Sequence, residues 1–600
     1  MPKPPRPPTS AWLAVLLPLA ACDLGAVAPE HVARASAALV ATEAMELLAP
    51  DGDPSDFFGF SVALSGDTAI VGAPDEDTKG TDAGAAYVFV RTNEVWTFEQ
   101  KLVASDGGPG KWFGHAVDID GDVAVVGSPR GDGGVPASGV VYVFARTNGV
   151  WTQQQKLFGS DGKPGDTMGQ AVAVADGTLV AGAPAEDTKG ADAGAVYVFG
   201  ENGGVFTQQK KILAADGQAG DRLGASVGLS GKTVIAGAPG EDDAGADAGA
   251  AYVFVGAGPV WSQQKKFLAA DGQAGDAFGS AVAIEGDAAI VGAPLANAAG
   301  GDAGAGYAFA RAGLTWAEAG KLVPAGLGSD DRLGTSVAIT KGRVILGALL
   351  DDTKGSNAGA AYVFTESGAG WIEDLLLVAG DGTAGDAFGF SVAMEGETAF
   401  VGAYLEDDTG TNAGSAYVFV LKSENGEACT TGASCASGFC VDGVCCDSAC
   451  DLGMCDACSM ATGASADGAC TLLTGTACDD GDACTAFDTC VEGVCTSGAP
   501  KDCGGAACVD GQCMTEADAG PDADAGADAE AEAGTDAAAD AEADAEAPAD
   551  EAVRLSGGAC QIRRGTGERA GWFFLTLLAA ALRRPFRSGR GAPRGTRVAP

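Results

Sequence analysis

The stretch FGHAVDIDGDVAVVGSPRGDGGVPASGVVYVF, residues 113–144, holds three short motifs that recur along the chain. It begins with Phe113-Gly114, passes through Gly127-Ser128-Pro129 and ends with Tyr142-Val143-Phe144. Each motif returns after 55 residues (113 to 168, for example). The first motif has seven versions: Phe58-Gly59, Phe113-Gly114, Met168-Gly169, Leu223-Gly224, Phe278-Gly279, Leu333-Gly334 and Phe388-Gly389. A fixed period without insertions predicts a repeat architecture.

One repeat contains four segments with strand character, separated by turn signals such as Asp120-Gly121 and Asn148-Gly149. The four segments are residues 116–119, 123–126, 140–145 and 150–157. Four strands per repeat and seven repeats predict an all-β fold, a seven-bladed β-propeller over residues 44–421.

The two ends of the repeat region predict how the ring closes. An aromatic residue marks the fourth strand of six repeats, as at Trp96 and Trp151, and is missing after the seventh. Upstream of the first repeat, residues 47–52 align with residues 102–107. We therefore expect a strand near residues 44–50 to complete the seventh blade and to remove two open sheet edges.

These motifs resemble FG-GAP repeats, which form the blades of the integrin α-subunit propeller and of many bacterial surface proteins. Calcium-binding members carry a D-x-D-x-D-G-x-x-D loop between the F-G and G-A-P elements. This sequence has only a tight turn there, as in residues 64–68, which is too short to supply the oxygens that calcium needs. Asp118, Asp120 and Asp122 come closest to that loop, and we interpret them as turn and exposed strand residues.

Most carboxylates of the repeats fall in the long loops. In a propeller these loops all lie on the same face. One interpretation is an acidic face that binds cations, with calcium as the candidate, or a basic or carbohydrate partner. The alternative is that these residues only shape turns. The candidate ligands are Asp75, Asp77, Asp82, Asp187, Asp192, Asp242, Asp247, Asp352 and Asp407. Arg130-Gly131-Asp132 spells an adhesion tripeptide, which we interpret as a chance match.

The composition excludes several classes of function. The formal charge of −45 disfavours nucleic acid, whose phosphates require Lys and Arg. The chain has two histidines, His31 and His115, which disfavours most catalytic triads and His-rich metal sites. We interpret His115 as a strand residue without chemistry.

Both ends of the chain carry targeting features. Residues 1–22 have a basic start and a short apolar core ending in Leu19-Ala20-Ala21-Cys22, which resembles a bacterial lipobox. The resemblance implies a lipid on Cys22, followed by a linker over residues 23–43. Residues 515–552 form an acidic Ala/Asp/Glu spacer. Residues 554–600, with Cys560, resemble the C-terminal sorting tails of myxobacterial surface proteins.

A cysteine-rich module spans residues 429–513 and resembles small modules of myxobacterial exported proteins. Its even cysteine count and the export signal predict disulfides of unassigned pairing, while Cys455 and Cys458 leave zinc as an alternative. The cysteines are Cys429, Cys435, Cys440, Cys445, Cys446, Cys450, Cys455, Cys458, Cys470, Cys478, Cys484, Cys490, Cys495, Cys503, Cys508 and Cys513.

Together these features predict an exported protein of the cell envelope, at the outer membrane or cell surface, anchored by the N-terminal lipid. We expect a non-catalytic binding or adhesion protein whose ligand is a surface protein or a carbohydrate. The alternatives are a passive structural protein and a propeller hydrolase or lyase acting on extracellular glycans. Catalytic propellers place His, Arg or paired carboxylates around the channel and use unequal loops, whereas these repeats are uniform.

Overall fold

The structure is a computed structural model. It describes residues 39–514, apart from 258, 369, 426, 428, 430, 451–455, 463, 475, 479–484, 487, 493, 497, 501–506, 510 and 511. The predicted signal with Cys22, the acidic spacer and the tail with Cys560 lie outside the described residues, as do His31, Cys455, Cys484 and Cys503.

Seven four-stranded antiparallel sheets form the blades of a propeller. Blades one and two contain β2 (Ser61–Ser65), β3 (Thr68–Ala73), β4 (Ala85–Thr92), β5 (Val95–Leu102), β6 (Ala116–Asp120), β7 (Val123–Ser128), β8 (Val140–Thr147) and β9 (Val150–Leu157). Blades three and four contain β10 (Ala171–Ala175), β11 (Thr178–Ala183), β12 (Ala195–Asn202), β13 (Val205–Ile212), β14 (Ser226–Ser230), β15 (Thr233–Ala238), β16 (Ala250–Ala257) and β17 (Val260–Phe267). Blades five and six contain β18 (Ala281–Glu285), β19 (Ala288–Ala293), β20 (Ala305–Ala312), β21 (Thr315–Leu322), β22 (Leu333–Thr340), β23 (Arg343–Ala348), β24 (Ala360–Ser367) and β25 (Gly370–Leu377). Blade seven contains β26 (Ser391–Glu395), β27 (Thr398–Ala403), β28 (Ser415–Ser423) and β1 (Leu39–Leu47).

Blades one to six have their four strands in chain order, as in β2-β3-β4-β5. Blade two shows β6–β9 where the sequence predicts strands, with each bound within two residues of its prediction. The prediction of a seven-bladed all-β propeller is therefore confirmed. The described residues contain no α-helix, and their single 3₁₀ turn is too short to cross a membrane.

The N-terminal strand closes the ring. β1 pairs antiparallel with β28, which gives blade seven the order β1-β28-β27-β26. The strand begins at Leu39, five residues earlier than predicted, so residues 39–43 belong to the propeller and not to the predicted linker. In the register Glu46 faces Tyr417, just as Lys101 faces Tyr87 in blade one. Residue 46 therefore occupies the place of Lys101.

Two glycines meet at each boundary between blades. Gly114 has a φ of 91° in the left-handed region, which Gly adopts without a steric penalty. A Cβ on Gly72 of blade one would overlap the carbonyl oxygen of Gly114, which opens blade two. Gly402 and Gly59 repeat this contact where the ring closes. The F-G and G-A-P glycines therefore allow neighbouring blades to approach each other closely.

The core consists of layers between blades. One layer joins Ile70 and Val88 of blade one to Phe113, Tyr142 and Trp151 of blade two. Burying each such side chain contributes about 1.5–3 kcal/mol. On the outer strands, the Gln100 side chain bonds to the backbone N–H and carbonyl of Trp151 in the next blade. Apolar packing and this amide bridge both fix the spacing of the blades.

The cysteine-rich module follows the propeller and is held by disulfides. Its short elements are a 3₁₀ turn (Gly432–Ser434), β29 (Phe439–Val441), β30 (Val444–Cys446), β31 (Asp456–Ala457), β32 (Thr471–Leu472), β33 (Thr485–Ala486), β34 (Thr489–Val491), β35 (Val494–Thr496), β36 (Ala499–Pro500), β37 (Ala507–Val509) and β38 (Gln512–Met514). The bonds between described cysteines are Cys429–Cys440, Cys435–Cys445, Cys446–Cys458, Cys450–Cys470 and Cys478–Cys495. The prediction of a disulfide framework is confirmed for these cysteines.

Candidate functional site

The innermost strands of all seven blades surround a central channel of about 300 Å³. Its lining is aliphatic apart from Asp118 on β6, which stands where other blades carry Ala or Gly. Oδ2 of Asp118 accepts a 2.6 Å hydrogen bond from the N–H of Val174 in the next blade. Burial raises the pKa of Asp118 to about 7, although this hydrogen bond lowers it. Asp118 thus joins two inner strands, and its titration falls near neutral pH.

Six of the innermost strands begin just after an F-G-like pair, and β22 of blade six begins at its pair, so these pairs surround one mouth of the channel. The position after the pair differs between blades. It holds Phe60, His115, Gln170, Ala225, Ser280, Thr335 and Phe390 in blades one to seven. The two phenylalanines and the histidine belong to blades seven, one and two, which are consecutive around the ring. The repeat symmetry is therefore broken on one side of the mouth.

Aromatic side chains cluster on that side. We define the aromatic mouth as Phe57, Phe60, Trp112, His115, Phe390 and Tyr404. The Phe60 ring lies 4.8 Å from Phe390 and 5.7 Å from Tyr404, centroid to centroid, and Phe390 lies 4.3 Å from Tyr404. All of these side chains are partly exposed. The cluster offers ring faces and edges to a ligand at the mouth.

His115 is one of the aromatic side chains of this cluster. Its ring lies 5.0 Å from Phe60 and is stacked at 5.9 Å on Trp112. Burial lowers the pKa of His115 to about 4, and the nearby Arg130 charge lowers it further. At neutral pH the imidazole is therefore uncharged, and its Nε2 lies 3.3 Å from the amide nitrogen of Gln170.

Arg130 and Asp75 add charge to the mouth. The guanidinium of Arg130 lies on the Trp112 ring, 3.2 Å from its centroid, in a cation–π contact. Burial raises the pKa of Asp75 to about 7, and the neighbouring Asp82 and Asp77 raise it further, while Arg130 lowers it. Arg130 and Asp75 occupy equivalent positions of neighbouring blades, immediately after the G-A-P-like segments.

The seven repeats match the FG-GAP repeat family over residues 41–89, 96–144, 151–199, 206–254, 261–309, 316–364 and 371–419, more than half of the chain. The chain belongs to the FG-GAP repeat family. This FG-GAP protein is 29% identical over 198 residues to integrin alpha-2 of Mus musculus, a match covering 29% of this chain and 16% of the integrin. The solved structure "Crystal Structure of Mitotic Checkpoint Complex" contains a chain that matches with a TM-score of 0.40 and 12% identity, over 68% of this chain and 99% of that one.

The predicted loop carboxylates of the FG-GAP protein do not converge on a common point among the described residues. Five of them have the same local role, because Oδ1 accepts the backbone N–H five residues later in the same loop. These are Asp77, Asp187, Asp242, Asp352 and Asp407. The residues whose N–H groups donate adopt the left-handed backbone conformation, with φ of 54° at Asp82, 55° at Asp192 and 53° at Asp247. Within the described part of the chain, no three of the nine predicted carboxylates place their oxygens within 4.8 Å of each other.

The other aspartates that the sequence singled out also have local partners. Oδ2 of Asp120 accepts from the N–H of Asp176 in the next blade at 2.9 Å, and Asp122 pairs with Arg146 at 2.7 Å. Asp132 of the Arg-Gly-Asp tripeptide pairs with Lys111 at 2.8 Å and accepts the N–H of Ala137. Arg130 and Asp132 therefore make separate contacts within the propeller.

The sequence interpretation missed the aromatic mouth. The sequence predicts His115 to be a strand residue, whereas it lies just before β6, at the mouth with Trp112 and Arg130. The missed residues include Phe57, Phe60, Phe390 and Tyr404. The signal was present in the repeat, because Tyr404 stands where the first five repeats carry proline, as at Pro74. A deviation from the repeat consensus identifies these residues.

Proposed function

We propose that this FG-GAP protein is a non-catalytic binding protein of the cell surface, and that it receives its partner at the aromatic mouth. The observation that supports the proposal is the confinement of the aromatic side chains to blades seven, one and two. Partly exposed aromatic residues at a channel entrance cost solubility and add little to the core. Tyr, Trp and Arg are the residues that supply most binding energy in protein interfaces.

The charge of the chain favours a basic protein segment as the partner. The chain has 81 acidic against 36 basic side chains, and Asp75, Asp77 and Asp82 lie on the loops beside the mouth. A Lys or Arg side chain would meet aromatic ring faces and a negative field together. An uncharged glycan would use only the ring faces, so it is the second candidate.

The test uses the full chain and defined probes. We would measure binding to an array of Arg- and Lys-containing peptides, to the same peptides with Gln or Glu in place of the basic residue, and to a glycan array. Variants Phe60→Ala and Tyr404→Pro introduce residues that other blades carry at these positions, as at Ala225 and Pro74, so the fold tolerates them. Phe158→Ala removes a more exposed aromatic residue (44% exposed) outside the mouth as the control.

We expect binding to basic peptides that weakens at least tenfold in Phe60→Ala and Tyr404→Pro and is unchanged in Phe158→Ala. It should also weaken with salt, because the attraction is partly electrostatic. Glycan binding with the same dependence on the mouth would replace the protein partner by a carbohydrate. The absence of binding to either array would favour a passive structural role, and turnover of an array glycan would favour a hydrolase or lyase.

The location of the protein is part of the proposal. Disulfides persist in oxidising compartments, so the bonded cysteine-rich module supports a location outside the cytoplasm. The lipobox-like segment supports attachment through Cys22. Cys22→Ser should abolish lipid labelling and release the protein from the membrane fraction. Membrane retention of this variant would point to the C-terminal tail as the anchor.

A further inference from the structure

Five blades hold a lysine ammonium at the same place. The lysine sits on the fourth strand and pairs with an aspartate of the preceding blade connection, as Lys101 does with Asp51 at 2.8 Å. The equivalent pairs are Lys156–Asp106, Lys211–Asp161, Lys266–Asp216 and Lys321–Asp271, at 2.6–2.9 Å. In all five blades this place is therefore occupied by a cation.

In blade four, three carboxylates surround the lysine ammonium at this position. The Nζ of Lys266 lies 2.9 Å from Asp216, 2.7 Å from Glu241 and 2.5 Å from Asp243. Asp216 comes from the connection between blades, and the other two come from the loop between the second and third strands. The fold thus brings three carboxylates onto one positive atom.

Blade seven has the same three carboxylates and no lysine. Asp381, Glu406 and Asp408 are the counterparts of Asp216, Glu241 and Asp243. The counterpart of Lys266 is Glu46, on the closing strand β1. Oxygens of Glu46, Asp381 and Asp408 lie within 4.8 Å of one another. The lysine ammonium that five other blades hold at this position is therefore replaced by a fourth carboxylate.

Blade six makes a useful contrast. It also lacks the lysine, since Leu376 takes its place, but the aspartate is lost as well, because Gly326 stands in the blade connection. The remaining carboxylate, Asp351, accepts a hydrogen bond from Tyr362 at 2.7 Å. Blade six therefore lost the lysine and its partner together, whereas blade seven kept every carboxylate.

The surroundings of the blade-seven carboxylates offer neutral donors. Tyr417 donates to Asp381 at 3.0 Å, and the Ser415 hydroxyl lies 2.7 Å from Glu46 and 2.8 Å from Glu406. That hydroxyl has one proton for two acceptors. Burial raises the pKa of Glu406 to about 7 and raises that of Glu46, and the charges of Asp381, Asp408 and Glu43 raise the Glu46 pKa further. No ion pair joins a Lys or Arg to these four carboxylates in the described ranges.

We propose that blade seven binds a divalent cation between Glu46, Asp381, Glu406 and Asp408, in the place that a lysine ammonium occupies in five other blades. Calcium suits the site, since it takes six to eight oxygen ligands and accepts irregular geometry. Glu46, Asp381 and Asp408, whose oxygens lie within 4.8 Å of one another, would supply the first of these ligands, and Glu406 lies beside them across the Ser415 hydroxyl. This site lies on the outer strand and its loops, not in the turn between the F-G and G-A-P elements and not at the aromatic mouth.

The site has a structural consequence because its ligands come from both ends of the propeller sequence. Glu46 belongs to β1, while the other three carboxylates belong to the seventh repeat. A cation between them would tie the closing strand to the ring. Without it, four carboxylates repel each other across the closure. Cation binding would therefore stabilise the closed ring specifically.

The experiment measures the thermal melting of the full chain in EGTA and in 2 mM Ca²⁺, and Ca²⁺ binding by calorimetry. Glu46→Lys introduces the lysine that five other blades carry at this position and is the key variant. We expect Ca²⁺ to raise the melting temperature of the wild type but not of Glu46→Lys. Glu46→Lys in EGTA should melt above the wild type in EGTA, and its Ca²⁺ affinity should fall at least tenfold.

A reciprocal variant keeps the test independent of how Glu46→Lys folds. Lys266→Glu gives blade four the four-carboxylate set of blade seven, so it should bind one additional Ca²⁺ and melt at a higher temperature with Ca²⁺ than without it. An equal Ca²⁺ shift in the wild type and Glu46→Lys would place the ion elsewhere and overturn the proposal. A wild type that ignores Ca²⁺ but gains stability from pH 8 to pH 6, unlike Glu46→Lys, would make the proton the counter-ion and also overturn it.

Discussion

The hydroxyl of Ser61 in blade one donates a 2.9 Å hydrogen bond to the carbonyl oxygen of Gly114, which opens blade two. The same oxygen lies against the Cα of Gly72 on the neighbouring strand. Ser391 donates to Gly59 at 2.8 Å in the same way, across the contact between blades seven and one. The seam where the chain closes on itself thus has the same contact as an ordinary blade boundary.

Substitution of Gly72 by Ala should destabilise the propeller, since a Cβ at this position overlaps the Gly114 carbonyl and forces two blades apart. Overpacking of this kind costs about 1–3 kcal/mol or more. Gly108→Ala is the control, because a Cβ there meets no atom within 4 Å. Urea unfolding should show a lower midpoint for Gly72→Ala alone. Equal midpoints for both variants would contradict the close approach of the blades.

Removal of residues 39–47 should sharply lower the melting temperature, because it deletes the outer strand of blade seven. The deletion exposes the β28 edge and the core around Leu39 and Leu47, which are 6% and 3% exposed. We expect a decrease of at least about 5 °C, with several kcal/mol lost. Deleting residues 23–38 instead serves as the control and should not change calorimetric melting. A similar melt for both deletions would show that β1 is dispensable.

The lysines of blades two and three should differ in their contribution to stability. Lys211 pairs with Glu186, whose side chain is 1% exposed, whereas Lys156 pairs with Asp106, which is 50% exposed. Lys211→Met leaves a buried charge unpaired, a loss of about 3–5 kcal/mol. Lys156→Met removes an exposed pair, worth about 0–1 kcal/mol. Chemical denaturation of the two variants gives this comparison directly.

The pH dependence of that comparison has a defined sign. Burial raises the pKa of Glu186, but hydrogen bonds from Lys211 and Thr188 hold it below its usual value. Without Lys211 the carboxyl should titrate higher, so the Lys211→Met defect should be larger at pH 8 than at pH 5. A defect that is the same at both pH values would mean that lost packing of the lysine stem is its cause.

The period of the motifs was sufficient to predict the fold. Strand positions, blade number and closure follow from it, because each repeat must bury one face against the next. The start of β1 was placed too late. The alignment of residues 47–52 with 102–107 covers only the end of the strand. The 55-residue period, by which Glu46 corresponds to Lys101, extends the predicted strand toward the N-terminus. The same offset would have revealed the missing lysine of blade seven.

The candidate site was harder to predict because it depends on exceptions to the repeat. Phe60 and Phe390 are far apart in the chain and come within 4.8 Å only because the ring closes between blades seven and one. The loop aspartates recur because they bind the backbone of their own loops, as Asp77 accepts the N–H of Asp82. In this propeller the residues that recur specify the fold, and the proposed binding site consists of residues that depart from the repeat.

Asp118 should make the stability of the propeller depend on pH. Its pKa is about 7 in the folded chain against 3.8 as the ordinary value, so the folded state holds the proton more tightly. The stability it adds is complete below about pH 4 and is lost as the pH rises through 7. Asp118→Asn keeps an acceptor for the Val174 N–H and cannot ionise. Its free energy of unfolding at pH 8 should therefore exceed that of the wild type.

We expect Asp118→Asn to be more stable than the wild type at pH 8 by on the order of 2 kcal/mol. Each pKa unit corresponds to ~1.4 kcal/mol, and the partial exposure of Asp118 to solvent reduces the total. Asp118→Ala introduces the residue of most other blades and loses the hydrogen bond to Val174. Urea midpoints from pH 4 to pH 8 should give parallel curves for the Asn and Ala variants, both flatter than the wild type. If the wild-type curve runs parallel to them, then Asp118 is ionised in the channel throughout this range. The apolar lining would then not raise its pKa.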